Sequence, residues 1–257
     1  MDFSLEDIKK YLNRDIDIKL FDELESTNNT LKTLAVEGAD DYTTVIAKKQ
    51  TGGKGRLGRS FFSPEGGLYL SLLLKPDNTP EAALQITVCA ASAVAVAIEK
   101  TTGIYCGIKW VNDIYLKDKK VCGILTEGAI NPTNRQLDYA VLGIGLNICT
   151  PKTGFPNELS SIAGALYEKD VPENIPTRIT AEIINTFLEY YENLSNKSYL
   201  NEYRRRSILI NKEITYLSEG AVHNGKVLEI DSNAALIVEE NKKKIKLSAG
   251  EVSVKLN

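Results

Sequence analysis

A basic, glycine-rich loop at residues 48–59 limits the folds open to this chain more than any other feature. Its residues 53–58, GKGRLG, fit the GxGxxG pattern of dinucleotide-binding proteins, and residues 53–60 nearly fit the P-loop. Both motifs require a helix directly after the loop, because the amides and the dipole of the helix N-terminus hold the phosphate. Here Pro64 and a Gly-Gly pair follow, and then a strand-like run. The sequence therefore predicts neither nucleotide-binding fold.

The same loop is predicted to bind an anion. It contains five cations and no acid, although the whole chain has a net charge of −3 from 31 basic and 34 acidic residues. Glycines let the backbone approach a ligand closely, and the local positive charge favours a phosphate. The alternative is a solvated, flexible loop without a ligand. The cations are Lys48, Lys49, Lys54, Arg56 and Arg59, and the glycines are Gly52, Gly53, Gly55 and Gly58.

The composition is that of an ordinary globular protein, with 43% hydrophobic and 25% charged residues. It excludes a disordered chain, and the slightly acidic net charge excludes a general nucleic-acid coat. We therefore expect no nucleic-acid partner. The single histidine, His223, leaves little room for histidine-based metal sites or acid–base pairs.

The cysteines and the apolar segments predict a cytoplasmic protein without a membrane partner. No CxxC pair is present, so we expect free thiols in a reducing compartment rather than a zinc site. The acidic N-terminus does not resemble a signal peptide. The most apolar stretch, residues 82–98, is interrupted by Gln85, Thr87 and Ser92 and is shorter than the ~20 apolar residues of a spanning helix. The cysteines are Cys89, Cys106, Cys122 and Cys149.

Capping residues and hydrophobic spacing predict an α+β arrangement. Ser4 and Ser26 each precede a helical pattern, and Pro80-Glu81 begins a long helix that ends near Gly103. Short apolar or β-branched runs predict strands, and Lys117-Asp118-Lys119 predicts a hairpin turn. The predicted helices are residues 5–12, 26–34, 80–103 and 180–194, and the predicted strands are residues 43–47, 68–74, 104–111, 113–116, 121–126 and 139–148.

The chain changes character near residue 211, beyond which short strands alternate with turns. Turn residues are offered by Asn224-Gly225, Asp231-Ser232-Asn233 and Asn241. About 45 residues of this kind predict a small β-barrel. We therefore predict a first domain at residues 1–208 and a second domain at residues 209–257.

A second polar motif, KWVND, lies within an otherwise apolar region. Alternation along an extended segment would place Lys109, Val111 and Asp113 on one side and Trp110 and Asn112 on the other. Asp113 could hold Mg²⁺ through one carboxylate, the sparse ligation usual for that ion. The alternative is a core tryptophan with polar residues at the end of a strand.

Five segments in this order resemble the biotin–protein ligases, also called biotin–[acetyl-CoA-carboxylase] ligases. The basic loop together with KWVND is highly specific for that family, and the match covers nearly the whole chain. The segments are ESTN (25–28), QTGGKGRLGR (50–59), KWVND (109–113), KVCGIL (120–125) and GIGLN (143–147), and GEVSVK (250–255) resembles the end of the family's C-terminal module.

The resemblance implies a catalytic domain with a mixed β-sheet and helices packed against it, related to class II aminoacyl-tRNA synthetases, followed by an SH3-like β-barrel. It implies that biotin and ATP, as substrates, give biotinyl-5′-AMP and pyrophosphate, with Mg²⁺ as the cofactor. A lysine of a biotin carboxyl carrier protein then takes the biotin and releases AMP. The substrates supply both nucleophiles, so such an enzyme acts by placement and by charge, which agrees with a chain that has one histidine.

The resemblance also implies roles for individual residues. The catalytic residues would be Lys120, Arg56 and Asp113, with Asp113 as the candidate Mg²⁺ ligand. The biotin site would contain Ser26, Thr27, Asn28, Gln50, Gly53, Lys54, Arg56, Lys120 and Gly123. The ATP and adenylate site would contain Arg56, Arg59, Phe61, Lys109, Asn112, Asn147 and Lys255. Lys54 stands where the family often has Arg and lacks its planar fork, while Phe61 replaces the usual Trp and lacks an indole N–H.

Three alternatives stay open. Lipoate–protein ligases and octanoyltransferases share the core fold but would need a histidine- or cysteine-bearing acyl site. A vitamin-binding sensor would not need Lys120 with Asp113, and a class II synthetase-like relic would act on an amino acid. Because the catalytic pattern begins within the first 30 residues, we expect a monofunctional ligase without a repressor's DNA-binding domain. The resemblance allows a monomer or a homodimer.

Overall fold

A computed structural model of the chain describes residues 3–75, 82–130, 137–218, 220–248, 250 and 252–254. It contains a seven-stranded and a five-stranded β-sheet, with helices packed on the larger one. The strands are β1 (Ile18–Leu24), β2 (Thr44–Gln50), β3 (Gly67–Leu74), β4 (Gly107–Lys109), β5 (Asp113–Leu116), β6 (Lys119–Ile130), β7 (Leu137–Asn147), β8 (Glu213–Ser218), β9 (Ala221–Ile230), β10 (Leu236–Glu240), β11 (Lys243–Leu247) and β12 (Val252–Val254). The helices are α1 (Leu5–Lys10), α2 (Thr27–Val36), α3 (Ala82–Thr102), α4 (Asn157–Ser160), α5 (Ile175–Glu192) and α6 (Ser198–Arg206).

The larger sheet has the order β1-β2-β3-β7-β6-β5-β4. Strands β1 and β2 pair in parallel, and the other neighbouring strands pair antiparallel. The mixed sheet implied by the resemblance is therefore confirmed. The predicted hairpin between β5 and β6 is also confirmed, and Lys117 turns the chain there with a φ of 54°.

Helices cover both faces of this sheet. Leu31 of α2 packs on fully buried Val45 and Leu73, whereas Ile46 belongs to the main core with α3 and α5. Neighbouring residues of a strand point to opposite faces, so α2 lies on one face and α3 with α5 on the other. By length and composition α3 could cross a membrane, and 67% of that apolar stretch is buried inside the protein. The prediction of a buried core helix at this position is confirmed.

Side-chain caps begin α1 and α2 at the predicted residues. The Ser4 hydroxyl accepts a hydrogen bond from the backbone N–H of Asp7 at 3.1 Å, and the Ser26 hydroxyl accepts one from Asn29 at 3.4 Å. Each cap satisfies an N–H that lacks a partner within its helix. The cap at Ser26 matters for function, because it fixes the first turn of α2 at the edge of the cavity described below.

The C-terminal sheet has the order β11-β10-β9-β8-β12 and is antiparallel throughout. The predicted turn at residues 231–233 is confirmed, since Asp231 Oδ1 accepts the Asn233 N–H at 2.8 Å. The predicted turn at Asn224-Gly225 is wrong, because both residues lie within β9. A glycine is needed at position 225 because β9 packs closely on β10, and a Cβ there would lie 2.5 Å from Val238 Cγ1. Within the described residues β11 and β12 do not pair, so closure into a barrel stays a prediction.

Two further expectations differ from the structure. Residues 104–111 were expected as one strand, but β4 spans Gly107–Lys109 and a turn follows at residues 110–112. Helix α6 was not predicted. It lies between the two sheets, where the Arg204 Nε donates to the Ile230 carbonyl at 2.8 Å and the Tyr203 hydroxyl donates to the Val111 carbonyl at 3.0 Å. The turn and α6 therefore fasten the C-terminal sheet to the first one.

Candidate active site

A cavity of about 330 Å³ lies where the larger sheet, the basic loop and the C-terminal sheet meet. Of the residues predicted for the site, it is lined by Ser26, Thr27, Asn28, Gln50, Lys54, Arg56, Arg59, Phe61, Lys109, Asn112, Asp113, Lys120 and Gly123. Residues without a predicted role also line it, namely Gly55, Ser60, Trp110, Ile124, Leu125, Gly143, Ile144, Gly145, Gly250, Val252 and Ser253. The fold thus brings most of the predicted residues to one place.

Three glycines on neighbouring strands form the floor of the cavity. Gly123 pairs with Gly145 across β6 and β7. A Cβ on Gly145 would lie 2.6 Å from Phe61 Cε1, and a Cβ on Gly123 would lie 3.0 Å from Phe61 Cε2. A Cβ on Gly143 would lie 2.2 Å from Asn28 Oδ1. The missing side chains therefore make room for the Phe61 ring and the Asn28 amide.

One end of the cavity, the polar end, is built around Thr27 and Gln50. The backbone N–H and the hydroxyl of Thr27 donate to Gln50 Oε1 at 2.8 and 3.0 Å. Gln50 Nε2 donates to Ser63 Oγ at 3.1 Å, and the Ser63 hydroxyl donates to the Phe61 carbonyl at 2.8 Å. These bonds fix both ends of the Gln50 amide, so the polar end is formed without a ligand.

Asn28 extends the polar end to a half-buried ion pair. Its Oδ1 accepts the Ser71 hydroxyl at 2.6 Å, and its Nδ2 donates to Glu127 Oε2 at 2.7 Å. The other Glu127 oxygen lies 2.6 Å from Lys32 Nζ. Burial raises the pKa of Glu127, but the hydrogen bonds from Asn28 and Lys32 outweigh it, and the pKa lies below its ordinary value. The carboxylate is therefore ionised at neutral pH.

Sequence reasoning missed Ser71, Lys32 and Glu127. One signal was present, because Glu127 follows Gly123 and Leu125 at the two-residue period of one strand face. Ser71 carried no such signal. It reaches the site because β3 pairs with β7 and places Ser71 opposite Gly143.

The other end, the charged end, contains Lys120 and Asp113 on paired strands. Lys120 Nζ lies 2.6 Å from Asp113 Oδ1, and the two side chains are 29% and 21% exposed. Among the described groups no donor meets Asp113 Oδ1 in hydrogen-bond alignment. The ammonium and the carboxylate are therefore close but not aligned for a hydrogen bond, and the contact is mainly electrostatic.

Arg56 joins three segments at the charged end. Its Nη1 donates to Asn112 Oδ1 at 3.0 Å, and its Nη2 donates to the Gly250 carbonyl at 3.3 Å. Asn112 Nδ2 in turn donates to the Ile124 carbonyl at 2.9 Å. Among the residues that the structure describes, the guanidinium is therefore held over the β6 edge of the cavity by neutral acceptors rather than by an acid.

The basic loop does not direct all five cations to the cavity. Lys48 Nζ pairs with Asp22 at 3.0 Å and Lys49 Nζ pairs with Glu23 at 2.6 Å, both on β1. The expectation of a five-cation anion site is therefore wrong for these two residues, whose partners come from the parallel neighbour of β2. The loop cations that line the cavity are Lys54, Arg56 and Arg59.

Comparison with known proteins identifies the family. Over 224 residues the chain is 33% identical to the bifunctional ligase/repressor BirA of Bacillus subtilis, an alignment that covers 86% of this chain and 68% of that protein. A sequence model described as the biotin/lipoate A/B protein ligase family matches residues 20–147. The chain belongs to this family.

Other members of the biotin/lipoate ligase family agree with this assignment. A biotin protein ligase from Aquifex aeolicus, solved in complex with biotin and ATP, superposes with a TM-score of 0.78 at 27% identity and covers 95% of this chain and 100% of that one. A biotin–[acetyl-CoA-carboxylase] ligase of Mycobacterium tuberculosis is 28% identical over 243 residues, or 88% of this chain and 85% of that one. The family predicted from the motifs and the catalytic fold are both confirmed.

Two residues predicted from the biotin/lipoate ligase motifs do not line the cavity, and a third lies outside the described residues. Gly53 supports the loop from behind, where a Cβ would lie 2.4 Å from the Phe61 carbonyl oxygen. Asn147 is buried and its Nδ2 donates to the Gly164 carbonyl at 2.9 Å. Lys255 lies outside the described residues. The roles of the predicted residues toward ligands stay predictions.

Magnesium ligation was predicted for Asp113. The described residues contain no cluster of three His, Cys, Asp or Glu side chains that could hold a metal by themselves. Asp113 Oδ1 fits the sparse ligation of Mg²⁺, because it is a buried carboxylate oxygen without an aligned donor among the described groups, and an ion there would replace the Lys120 ammonium that lies 2.6 Å from it. Asn112 fits less well, since its Oδ1 already accepts from Arg56.

Proposed function

We propose that this protein is a biotin–protein ligase, which activates biotin with ATP and transfers it to a specific lysine of a biotin carboxyl carrier protein, such as that of acetyl-CoA carboxylase. One observation carries the proposal: a single cavity has a closed hydrogen-bond network at one end and Lys120, Asp113 and Arg56 at the other. A ligand with a polar ring and a carboxylate meets both ends. The relatives that are named as such ligases support the assignment.

In the first half-reaction, a carboxylate oxygen of biotin attacks the α-phosphorus of ATP. The C–O–P linkage of biotinyl-5′-AMP forms as the bond from the α-phosphorus to the bridging oxygen breaks and pyrophosphate leaves. Negative charge on the phosphate oxygens is stabilised by fixed cations, and Lys120, Arg56 and Arg59 supply them. Asp113 holds the Lys120 ammonium in place. Mg²⁺, when bound at Asp113, would add positive charge beside the phosphates.

In the second half-reaction, the acceptor lysine amine attacks the biotinyl carbonyl carbon. The bond to AMP breaks, AMP leaves with the electron pair, and the amine proton passes to solvent. No enzyme nucleophile is used. In agreement with this, the described lining contains no cysteine or histidine, and burial raises the pKa of the nearby Cys122 thiol well above its ordinary value.

The polar end favours biotin over lipoate, the second substrate class of the family. The ureido ring of biotin has two N–H donors and a carbonyl acceptor, whereas the dithiolane ring of lipoate has none. A site built from buried hydrogen-bonding groups discriminates strongly against a ligand that leaves them unpaired. Thr27 and Asn28 are 4% exposed, and lipoate cannot use the hydrogen-bonding capacity that remains on them beyond their bonds to Gln50, Ser71 and Glu127.

Transfer of labelled biotin to a carrier domain tests the proposal. With ATP and Mg²⁺ present, we expect label on one lysine and release of pyrophosphate, and neither product without ATP. A parallel reaction with lipoate serves as the matched control and should leave the carrier unlabelled. Labelling by lipoate without labelling by biotin would overturn the proposal.

Other properties stay proposals that accompany this function. The absence of repressor activity is tested by a gel shift with operator DNA at physiological salt. We propose a cytoplasmic location, which is supported by the free thiols of Cys89, Cys106, Cys122 and Cys149. We also propose that the C-terminal sheet closes into an SH3-like barrel. Light scattering distinguishes a monomer from a homodimer.

A further inference from the structure

We propose that Glu127, held by Lys32, is a positioning residue that orients the Asn28 amide and thereby sets the hydrogen-bonding pattern of the polar end of the cavity. The inference rests on the proposed function, because it concerns the binding of biotin. Glu127 does not line the cavity, so it acts through Asn28 and Thr27, which do.

The contacts place Glu127 between two residues of one helix face. Asn28 and Lys32 lie four residues apart on α2 and are therefore neighbours on its surface. Glu127 receives Asn28 Nδ2 on one oxygen at 2.7 Å and Lys32 Nζ on the other at 2.6 Å. The carboxylate thus joins β6 to the first turns of α2, beside the floor of the cavity.

The chemistry of a carboxylate makes this contact directional. An ionised carboxylate only accepts hydrogen bonds, whereas an amide has a donor end and an acceptor end. Asn28 must therefore present Nδ2 to Glu127 and Oδ1 to Ser71. The hydrogen bonds from Asn28 and Lys32 keep the pKa of Glu127 below its ordinary value, so this constraint holds throughout the neutral range.

The orientation of the Asn28 amide also affects the Thr27 hydroxyl, which lines the cavity. Ser71 has a single hydroxyl proton, and it donates to Asn28 Oδ1 at 2.6 Å. The same hydroxyl lies 2.8 Å from Thr27 Oγ1 and donates to it as well, so its proton is shared between these two acceptors, while the Thr27 proton goes to Gln50 Oε1. A flipped Asn28 amide would turn the Ser71 proton toward Thr27 and change what the Thr27 oxygen can offer to biotin.

The floor allows no compensating movement of the amide. Asn28 Oδ1 fits against Gly143 only because that residue has no side chain, since a Cβ there would lie 2.2 Å from the oxygen. Asn28 is 4% exposed and Ser71 is fully buried. An amide that lost its preferred orientation would therefore leave buried polar groups mismatched, which costs binding affinity.

The first test is the substitution Glu127→Gln, which keeps the shape but gives position 127 a donor and an acceptor. Calorimetry should show a biotin dissociation constant raised about tenfold. Steady-state assays should show a raised KM for biotin, while the KM for ATP and the kcat change less than about twofold. Glu37→Gln, at the exposed end of the same helix, is the matched control and should leave all three constants unchanged.

A double-mutant cycle separates positioning from a general structural role. In the Asn28→Ala background, Glu127→Gln should no longer change the biotin dissociation constant, because the residue it orients is absent. Lys32→Met keeps the bond between Glu127 and Asn28 and should raise the constant only about threefold. An equal effect of Glu127→Gln in both backgrounds, or a fall in kcat at unchanged KM, would overturn the inference.

The same experiment distinguishes this inference from the proposed function. If the unsubstituted protein binds no biotin, the proposed function fails and the inference fails with it. If it binds biotin and Glu127→Gln binds equally well, the inference alone fails.

Discussion

The two ends of the cavity are built in different ways. The polar end takes Thr27, Gln50 and Ser71 from a helix and two central strands, and these groups hydrogen-bond to one another without a ligand. The charged end takes Arg56 from a loop and Asp113 from the strand after a turn, and its closest contact is an ion pair out of hydrogen-bond alignment.

This difference between the two ends suggests that the polar end recognises biotin and the charged end promotes the reaction. A network that is already satisfied selects a ligand by matching its donors and acceptors, and it loses little on binding because it is preorganised. A cation whose carboxylate partner lies out of hydrogen-bond alignment, such as Lys120, is suited to phosphate charge that appears only during the reaction. Substitutions at the polar end should therefore change biotin binding, and substitutions at the charged end should change the rate of adenylate formation.

The largest effect is expected at the charged end from Lys120→Met. At saturating biotin and ATP, the rate of biotinyl-5′-AMP formation should fall by about 10²–10³, because a fixed charge that stabilises the transition state is lost. Rapid-quench measurement of the adenylate gives this rate. Lys117→Met, on the exposed hairpin turn nearby, is the control and should keep the original rate. A normal rate in the Lys120 variant would contradict the assignment of the catalyst.

The floor glycines provide a direct test of the comparison. In Gly143→Ala the new methyl group would meet the Asn28 amide, so the KM for biotin should rise about 10–100-fold. In Gly145→Ala it would meet the Phe61 ring instead, so the main effect, about tenfold, should fall on the KM for ATP. Each variant is the control for the other in steady-state assays. The comparison fails if both variants change the same constant.

A moderate effect is expected from Arg56→Lys. The charge stays, but an ammonium group cannot reach Asn112 and Gly250 as the two branches of the guanidinium do. We expect kcat/KM for ATP to fall about tenfold, measured by pyrophosphate release. Arg178→Lys, exposed on α5, should have no effect. Unchanged kcat/KM in the Arg56 variant would show that charge alone suffices at this position.

The smallest effect is expected from Trp110→Phe, which alters the contact between the two sheets, called here the seam. The variant loses the hydrogen bond from Trp110 Nε1 to the Ala234 carbonyl at 3.0 Å, and the free energy of unfolding should fall by about 1–3 kcal/mol. Urea unfolding followed by circular dichroism measures it. Tyr105→Phe, at a half-exposed hydroxyl, should cost less than about 0.5 kcal/mol. Equal losses in the two variants would argue against a stabilising seam.

Sequence signals predicted the parts of the fold that depend on near neighbours. Caps at Ser4 and Ser26, the turn at Lys117 and the apolar length of α3 are all local, and each is confirmed. Helix α6 escaped prediction because residues 198–206 are mostly polar or basic, and the helix is stabilised by buried contacts with the rest of the protein. The Asn224-Gly225 pair has turn composition, but close packing on β10 keeps it extended.

The site divides in a similar way. Residues in contiguous motifs, such as Lys120 and Asp113, were predicted because their spacing is specific to the family. The contacts of Ser71 and Glu127 with Asn28 depend on strand register, which a single sequence does not show, and only Glu127 carried a signal, the two-residue period of β6. Lys48 and Lys49 fit the basic pattern, yet their pairing with β1 could be seen only in three dimensions.

The lining of the cavity comes from both early and late parts of the chain. Ser26 belongs to the early part, and Gly250, Val252 and Ser253 belong to the late part. During synthesis, the strands of the larger sheet leave the ribosomal exit tunnel well before β12 does. Such a nascent chain holds the polar end but lacks one wall of the cavity. We therefore expect the acyl-adenylate to form only after β12 has left the exit tunnel, and a chain interrupted before β12 to be inactive.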